Sequence, residues 1–330
     1  MQSAPGYAEV DCVECHIGSG IGHLIKSKLA GTRQLWGVIT NDFNRPIQTP
    51  VHNLRPAIEV CGTCHFPESF HGKLMRVIEQ YEPDQNNTRT VTILNMRVGG
   101  GTGLNKNASG IHSHVNSETS IRYYASDNKR EKILEVEQHQ ADGSVHVWRH
   151  NDMPMPEDPD PDHYRDMDCV DCHNRPTHIF LPPDKALDRR FEEGLLDKSV
   201  PWLRAIGEEI IRVKYPSTAA AMEGIATLPT VYKERYPQFW QEFGARDEAS
   251  VAPLQDLHSL YVYPEMNLEW NTYNSMIGHP TEHTAACFRC HNGVMEDDQG
   301  VAITTECNAC HFVLADKEQD PMILRILEDR

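Results

Sequence analysis

Residues 169–173 read Cys169-Val170-Asp171-Cys172-His173, two cysteines separated by two residues with a histidine directly after them. The same unit recurs at Cys12/Cys15/His16, Cys61/Cys64/His65, Cys287/Cys290/His291 and Cys307/Cys310/His311. Together the five units use all 10 cysteines of the chain. Cys-x-x-Cys-His is the pattern of c-type haem attachment. Two thiols form thioethers to the haem vinyl groups, and the adjacent histidine reaches the iron. If the cysteine pairs are granted, composition alone puts a histidine after all five about once in two million chains. Five covalently bound haem c groups are expected.

Other readings of paired cysteines leave residues unexplained. A disulfide scaffold needs no histidine after each pair. Cys287/Cys290 and Cys307/Cys310 are spaced like a zinc ribbon, but that leaves six cysteines and every motif histidine without a role. A thioredoxin-like redox pair requires one motif in a βαβ setting, not five.

Composition points the same way. Hydrophobic residues make up 39% of the 330 and aromatics 8%, a low apolar share for a globular chain. The polypeptide is therefore expected to wrap haems rather than pack on itself, and to unfold when they are lost. A net charge of −17 excludes nucleic acid as a partner, which demands a basic footprint. It suits solubility or the steering of a basic partner. Haem is attached to such motifs outside the cytoplasm, so a periplasmic or extracellular location is expected. Residues 1–10 (MQSAPGYAEV) have neither the basic start nor the apolar run of a signal peptide, and no stretch is long and apolar enough to span a bilayer. An upstream segment is expected in the native protein.

The motifs divide the chain. Residues 1–87 carry two motifs, 88–150 are β-rich, 151–183 hold a linker and the third motif, 184–276 are helical and haem-free, and 277–330 carry two motifs. Strand signals run through TRTVTILNMRV, SIRYYAS, KILEVEQH and SVHVWRH, the last two joined at Ala141-Asp142-Gly143, a hairpin turn. The run Gly99 to Gly103 lacks the Gly-Lys-Ser/Thr of a phosphate loop and reads as a surface turn. Residues 151–163 form an acidic, Pro-rich connector. Ser199 reads as a helix N-cap with Pro201 just inside, followed by Trp202, Ile206, Ile210 and Val213 at helical spacing. Tyr232, Tyr236, Phe239, Trp240 and Phe243 make a second aromatic face, and DPMILRIL a short terminal helix. The fold class is a multihaem cytochrome c, mainly α and irregular around the haems, with a small antiparallel β insertion.

Eighteen histidines less the five proximal ones leave 13, enough for a second histidine on every iron. Bis-His ligation gives lower potentials than Met/His ligation.

The stretches VDCVECHIGSG, KSKLAGTRQLWGV, RPIQTPVHNLRPAIEVCGTCHFPESFHGKLM, GIHSHVNSETSIRYYASDNKREKI, CVDCHNRPTH and ACFRCHNG resemble the larger members of the NapC/NirT family of multihaem cytochromes c, over most of the chain. The resemblance implies periplasmic electron transfer, commonly from membrane quinol to a reductase or carrier. It nominates His52, His71, His112 or His114, His178 and His279 as distal ligands, without saying which serves which iron. His23, His139, His146, His150, His163, His258 and His283 are weaker candidates. The family's membrane helix and its extra motif upstream of Cys12 are missing from this sequence, as is a Cys-His-x-Met continuation of the first motif. Quinol oxidation is therefore expected of a longer protein or a partner subunit rather than of this chain alone.

The function expected is electron carriage between redox proteins, with a membrane quinol dehydrogenase or anchor upstream and a periplasmic or extracellular acceptor downstream. No catalytic residue is nominated. The alternatives are a multihaem reductase or oxidase with one open haem acting on a small nitrogen or sulfur oxyanion, and a subunit of a redox complex or filament.

Overall fold

The computed structural model describes residues 13, 16–17, 21–49, 56–62, 64–65, 72–99, 110–115, 119–278 and 286–328. Cys12, Cys15, His52, His71, His279 and His283, with the Gly-rich run beyond Gly99, lie outside the described residues. In chain order the helices are α1 (Ile21–Thr40), α2 (Ala57–Cys61), α3 (Cys169–Cys172), α4 (Pro183–Glu192), α5 (Leu203–Ile211), α6 (Thr218–Ile225), α7 (Leu228–Arg235), α8 (Pro237–Tyr261) and α9 (Met322–Glu328). The strands are β1 (Leu74–Tyr81), β2 (Arg89–Met96), β3 (Thr119–Ala125), β4 (Ile133–Gln140), β5 (Val145–His150), β6 (Tyr164–Asp166), β7 (Met295–Glu296) and β8 (His311–Glu318).

The strands form two antiparallel sheets, ordered β1-β2-β8 and β6-β3-β4-β5-β7. Alternating apolar residues put Val91 and Ile93 on the buried face of β2 against Ala315 of β8. Ile121, Tyr123, Ile133 and Val136 fill the core of the larger sheet. The β4–β5 hairpin turns at the expected Ala141-Asp142-Gly143. There Asp142 Oδ1 accepts from Ser144 N at 2.9 Å, and Gly143 takes φ 85°, which costs glycine nothing. The β structure is wider than 88–150. β1 lies before that stretch, β6, β7 and β8 after it, and each of these except β1 borders an attachment motif.

Helices α4 to α8 pack on one another around Leu187, Leu203, Ile206, Leu228, Tyr232 and Leu254, all fully buried. The expected aromatic face is part of this core, with Tyr236, Phe239, Trp240 and Phe243 packed against it. Among the described residues, no attachment cysteine or its histidine belongs to this cluster. The expectation that the polypeptide packs on haem rather than on itself is therefore corrected for this region, where the apolar residues are concentrated enough to bury one another.

The start of α5 also differs from expectation. The Ser199 hydroxyl donates to Asp197 Oδ1 at 2.6 Å in a tight turn, and the helix begins at Leu203 after Trp202 in a left-handed conformation. Val213 lies beyond its end and is exposed. Asn87 in the β1–β2 loop does the capping. Its Oδ1 accepts from Arg204 N at 2.8 Å, and its Nδ2 donates to Val200 O at 2.7 Å. An orphan helix N–H can be satisfied from another element as well as from the local residue. Asp188 of α4 accepts from Tyr81 N at 3.2 Å and from Arg204 Nε at 3.0 Å, so the smaller sheet and the helical core are tied at two points.

One carboxyl in that core stands alone. Asp247 is fully buried, and neither of its oxygens nor the Tyr232 hydroxyl has a hydrogen-bond partner. Burial, with Glu248 adding, pushes the Asp247 carboxyl up to about 7. The folded state then holds a proton that the unfolded chain releases, so the contribution of Asp247 to stability is greatest below about pH 4, falls as pH rises towards 7 and levels above it. Calorimetric unfolding of the wild type against Asp247→Asn is expected to show a pH-dependent difference of up to about 4 kcal/mol across that window. Parallel profiles for the two proteins would contradict it.

Candidate functional site

The described motifs are built by local structure and joined by their spacer residues. β6 leads into the third motif through Met167 N–H to Ile121 O at 2.7 Å. Asp168 is extended and caps α3, accepting from Cys169 N at 2.6 Å, while Asp171 accepts from Asp168 N at 2.7 Å. This reciprocal capping box sets the turn that presents Cys169, Cys172 and His173. Asp168 Oδ2 also accepts from Ala57 N at 2.6 Å, at the start of α2, which carries Cys61. The second and third motifs meet there: the Cys169 thiol hydrogen-bonds Cys61 and lowers it to about 7.

Asp171 joins the third motif to the fourth. Its carboxylate is buried and accepts from Tyr123 OH at 2.6 Å and from Arg165 Nε at 3.0 Å, with Arg130 at 3.4 Å. Arg289, the spacer arginine of the fourth motif, is also buried and donates through Nη2 to Asp171 O at 2.5 Å and through Nη1 to Arg130 O at 2.8 Å. Burial raises Cys172 to about 11, with Cys287 near enough to add, and raises Cys290 to about 12. Burial likewise raises Cys310 of the fifth motif, with Cys287 contributing. The second to fifth motifs therefore form one chain of neighbours. No disulfide joins the described cysteines, and among the described residues no three His, Cys, Asp or Glu side chains converge as an ion's donor set.

Cys64 and Cys307 depart from the other attachment cysteines. Both are exposed, whereas Cys61, Cys169, Cys172, Cys287, Cys290 and Cys310 are partly covered. The backbone around Cys64 still makes the turn of the motif, since Cys64 N and His65 N donate to Cys61 O at 3.1 and 2.7 Å. That turn carries Cys61 inward to Cys169 and leaves Cys64 on the outer side.

Three motif histidines face a second histidine. His16 and His178 have ring centroids 6.4 Å apart, His173 and His112 6.3 Å, and His291 and His114 5.9 Å. A metal about 2 Å from a nitrogen of each ring, with each centroid about 1.1 Å further out, requires about 6.2 Å. Both histidines of Ile111–Val115 face a motif histidine, His112 that of the third motif and His114 that of the fourth. Backbone carbonyls fix the rings: His112 Nδ1 meets Val98 O at 2.6 Å, His114 Nδ1 meets Ile111 O at 2.7 Å and His291 Nδ1 meets Thr304 O at 2.6 Å. With Nδ1–H as donor, Nε2 is left as a ligand nitrogen. Burial lowers the pKa of His114, and also of His173 and His178 with help from the facing rings; neutral imidazole is the ligating form. Gly110 permits this segment, because a Cβ there would overlap the carbonyl oxygens of Gly99 and Arg97.

Of the weaker candidates, the His23 side chain and His283 lie outside the described residues, and the others are engaged elsewhere or buried. His139 meets Glu137 at 2.8 Å, His146 meets Asp297 at 2.9 Å and stacks on Trp148, and His163 meets Ala125 O at 2.7 Å. His150 Nδ1 accepts from Asp152 N, and His258 is buried in the helical core beside Tyr215 and Trp270.

Beside the third motif lies a cavity of about 840 Å³, lined by Lys129, Arg130, Arg165, Arg175, Arg289 and Tyr273 among others, within the size range of cofactor pockets. Arg175 donates to Thr49 Oγ1 at 3.0 Å and lies over the Tyr273 ring at 4.7 Å. Its buried Nε has no partner, and no described carboxylate pairs with it. A half-buried cation on a cavity wall fits a ligand carboxylate such as a haem propionate. The paired thiols, the facing histidines and this cation therefore fit haem c.

Sequence reasoning missed Asp168, Asp171, Arg289 and Arg175. Asp-x-x-Asp across the third motif is a capping-box spacing and was the available signal for the first two. Replacing Asp171 with Asn strips the counter-charge from Arg165 and Arg130, and a loss of about 2–4 kcal/mol in the stability of the haem-loaded protein is expected. Thermal unfolding followed at the haem absorption band measures it; a variant as stable as the wild type would contradict the linking role.

No family model matches the chain, and no solved structure matches it. A search of curated proteins finds similarity to the cytochrome c-type protein ImcH of Geobacter sulfurreducens, 37% identical over 321 residues, which are 97% of this chain and 62% of that protein. The chain thus spans less than two thirds of that relative's length. What it resembles, over nearly all of its own length, is a c-type cytochrome.

Proposed function

We propose that this chain binds five covalent haem c groups and carries electrons between redox proteins outside the cytoplasm. The observation that carries the reading is the pairing of three motif histidines with three others at the spacing of one shared metal. Bound haem c supplies reversible one-electron iron chemistry. The chain's contribution is to hold each group by two thioethers, to place a histidine on each side, and to set neighbouring motifs against one another. The contacts Asp168–Ala57 and Arg289–Asp171 and the approach of Cys287 to Cys310 keep the second to fifth motifs contiguous. In this reading His65 and His311 take distal ligands from among His52, His71 and His279. Saturated bis-His ligation leaves no open coordination position for a substrate and favours low potential.

Similarity to a c-type cytochrome supports haem and redox partners in general. The NapC/NirT resemblance, carried by the quoted motifs, supports a periplasmic place downstream of a membrane quinol dehydrogenase or anchor and upstream of a periplasmic or extracellular acceptor. Among the described residues no helix is long and apolar enough to cross a membrane.

Low-temperature EPR of the oxidised protein, together with a redox titration, tests the reading. Only low-spin ferric haem is expected, with most midpoints below the standard hydrogen electrode. A stoichiometric high-spin signal would favour a reductase with an open site, and midpoints mostly above that reference would contradict bis-His ligation.

A further inference from the structure

The contacts between attachment motifs do not follow sequence order. His16 of the first motif faces His178, with ring centroids 6.4 Å apart, and His178 belongs to the tail of the third motif, just beyond His173. That tail is pinned in place. Asn174 Nδ2 donates to Asn274 O at 2.9 Å, Asn174 Oδ1 accepts from Met276 N at 2.8 Å, and Arg175 Nη2 donates to Thr49 Oγ1 at 3.0 Å. After Pro176 the chain turns through His178 in the left-handed region, at φ 54°. A residue other than glycine holds that conformation where its surroundings enforce it.

The second motif reaches the third from another side. The Cys61 and Cys169 thiols are hydrogen-bonded to each other, beside the 2.6 Å contact of Asp168 Oδ2 with Ala57 N. The fourth motif arrives by a third route. Arg289 Nη2 donates to Asp171 O at 2.5 Å, and Cys287 and Cys290 lie near enough to Cys172 to interact with it. One 3-10 turn also sets His112 against His173 and His114 against His291. The fifth motif meets the fourth, Cys310 with Cys287.

We propose that the third attachment site is the junction of a branched electron path, where branches from the first, second and fourth motifs meet. The inference rests on the haem-binding reading above and goes beyond it. A wire in sequence order sets the first motif against the second, whereas here the first motif's histidine is met by a residue of the third. Each passage oxidises one ferrous iron and reduces one ferric iron, and needs no other reactant. A linear wire has two ends; this arrangement has three, at the first, second and fifth motifs. One donor protein can then supply two acceptors, or two donors one acceptor, through a single shared site.

The test is an EPR-monitored redox titration of haem-loaded His112→Met protein, with five haems confirmed by mass. Methionine in place of one histidine raises the potential of that iron, so the third haem is reduced first and becomes diamagnetic while the others stay ferric. Losing a paramagnetic neighbour changes the line shape and spin relaxation of each ferric haem close to it. Three or more of the remaining signals are expected to change at that step. His114→Met, which silences the fourth haem, is expected to change two. Two or fewer changed signals in His112→Met overturn the junction. Where a methionine leaves its iron high-spin, iron positions located by anomalous scattering in crystals of the haem-loaded wild type decide instead. The third iron is expected to be the nearest iron to both the first and the second; first and second irons closer to one another than to the third overturn the proposal. Haem content and midpoint potentials are unchanged by either result, so failure here is distinct from failure of the electron-carrier reading.

Discussion

The haem-binding architecture hangs on one buried carboxylate. Asp171 sits in the spacer of the third motif, and four separate elements converge on it: Tyr123 from β3, Arg130 from the β3–β4 loop, Arg165 from β6, and Arg289 from the fourth motif, which reaches the Asp171 carbonyl. A buried charge is tolerated only when it is paired and hydrogen-bonded. The requirement runs in reverse too: once Asp171 is buried, its partners are held to it. Two attachment motifs separated by 118 positions in sequence are thereby fixed at one place, and the larger sheet is the frame that holds them there.

The same economy appears in the histidines that face the motifs. A single 3-10 turn, Ile111–Val115, offers His112 to the third motif and His114 to the fourth. Two residues along such a turn point in different directions, so one short segment can serve two irons. Carbonyls of Val98 and Ile111 orient the rings, which is how ligand histidines are usually fixed in tautomer and angle. The smaller sheet brackets this arrangement from the other end, because β8 begins at His311 and pairs with β2. The helical region stands apart with its own apolar core, anchored by Asn87 and Asp188. Its helices bury one another's apolar side chains.

Much of this was legible in the sequence, for physical reasons. Cys-x-x-Cys-His is a chemical constraint of fixed spacing and survives any fold. The β4–β5 hairpin was readable because Asp142-Gly143 supplies both the side-chain acceptor and the positive φ. The start of α5 was not, because the cap comes from Asn87, far away in sequence, and Ser199 satisfies Asp197 instead. His112 and His114 looked like alternatives because sequence shows them two apart and hides the two motifs on either side. Asp171 and Arg289 occupy the variable spacer positions of their motifs, where a charged residue reads as solvent-facing until the partner element is known.

The central claim is that His112 and His114 each complete a different iron. EPR of the oxidised His112→Gly and His114→Gly proteins, with haem content checked by mass, tests it most directly. Each variant is predicted to convert one haem from low to high spin, and the double variant two. Contradiction would come from variants that keep every haem low-spin, or from a double variant that shows only one high-spin haem.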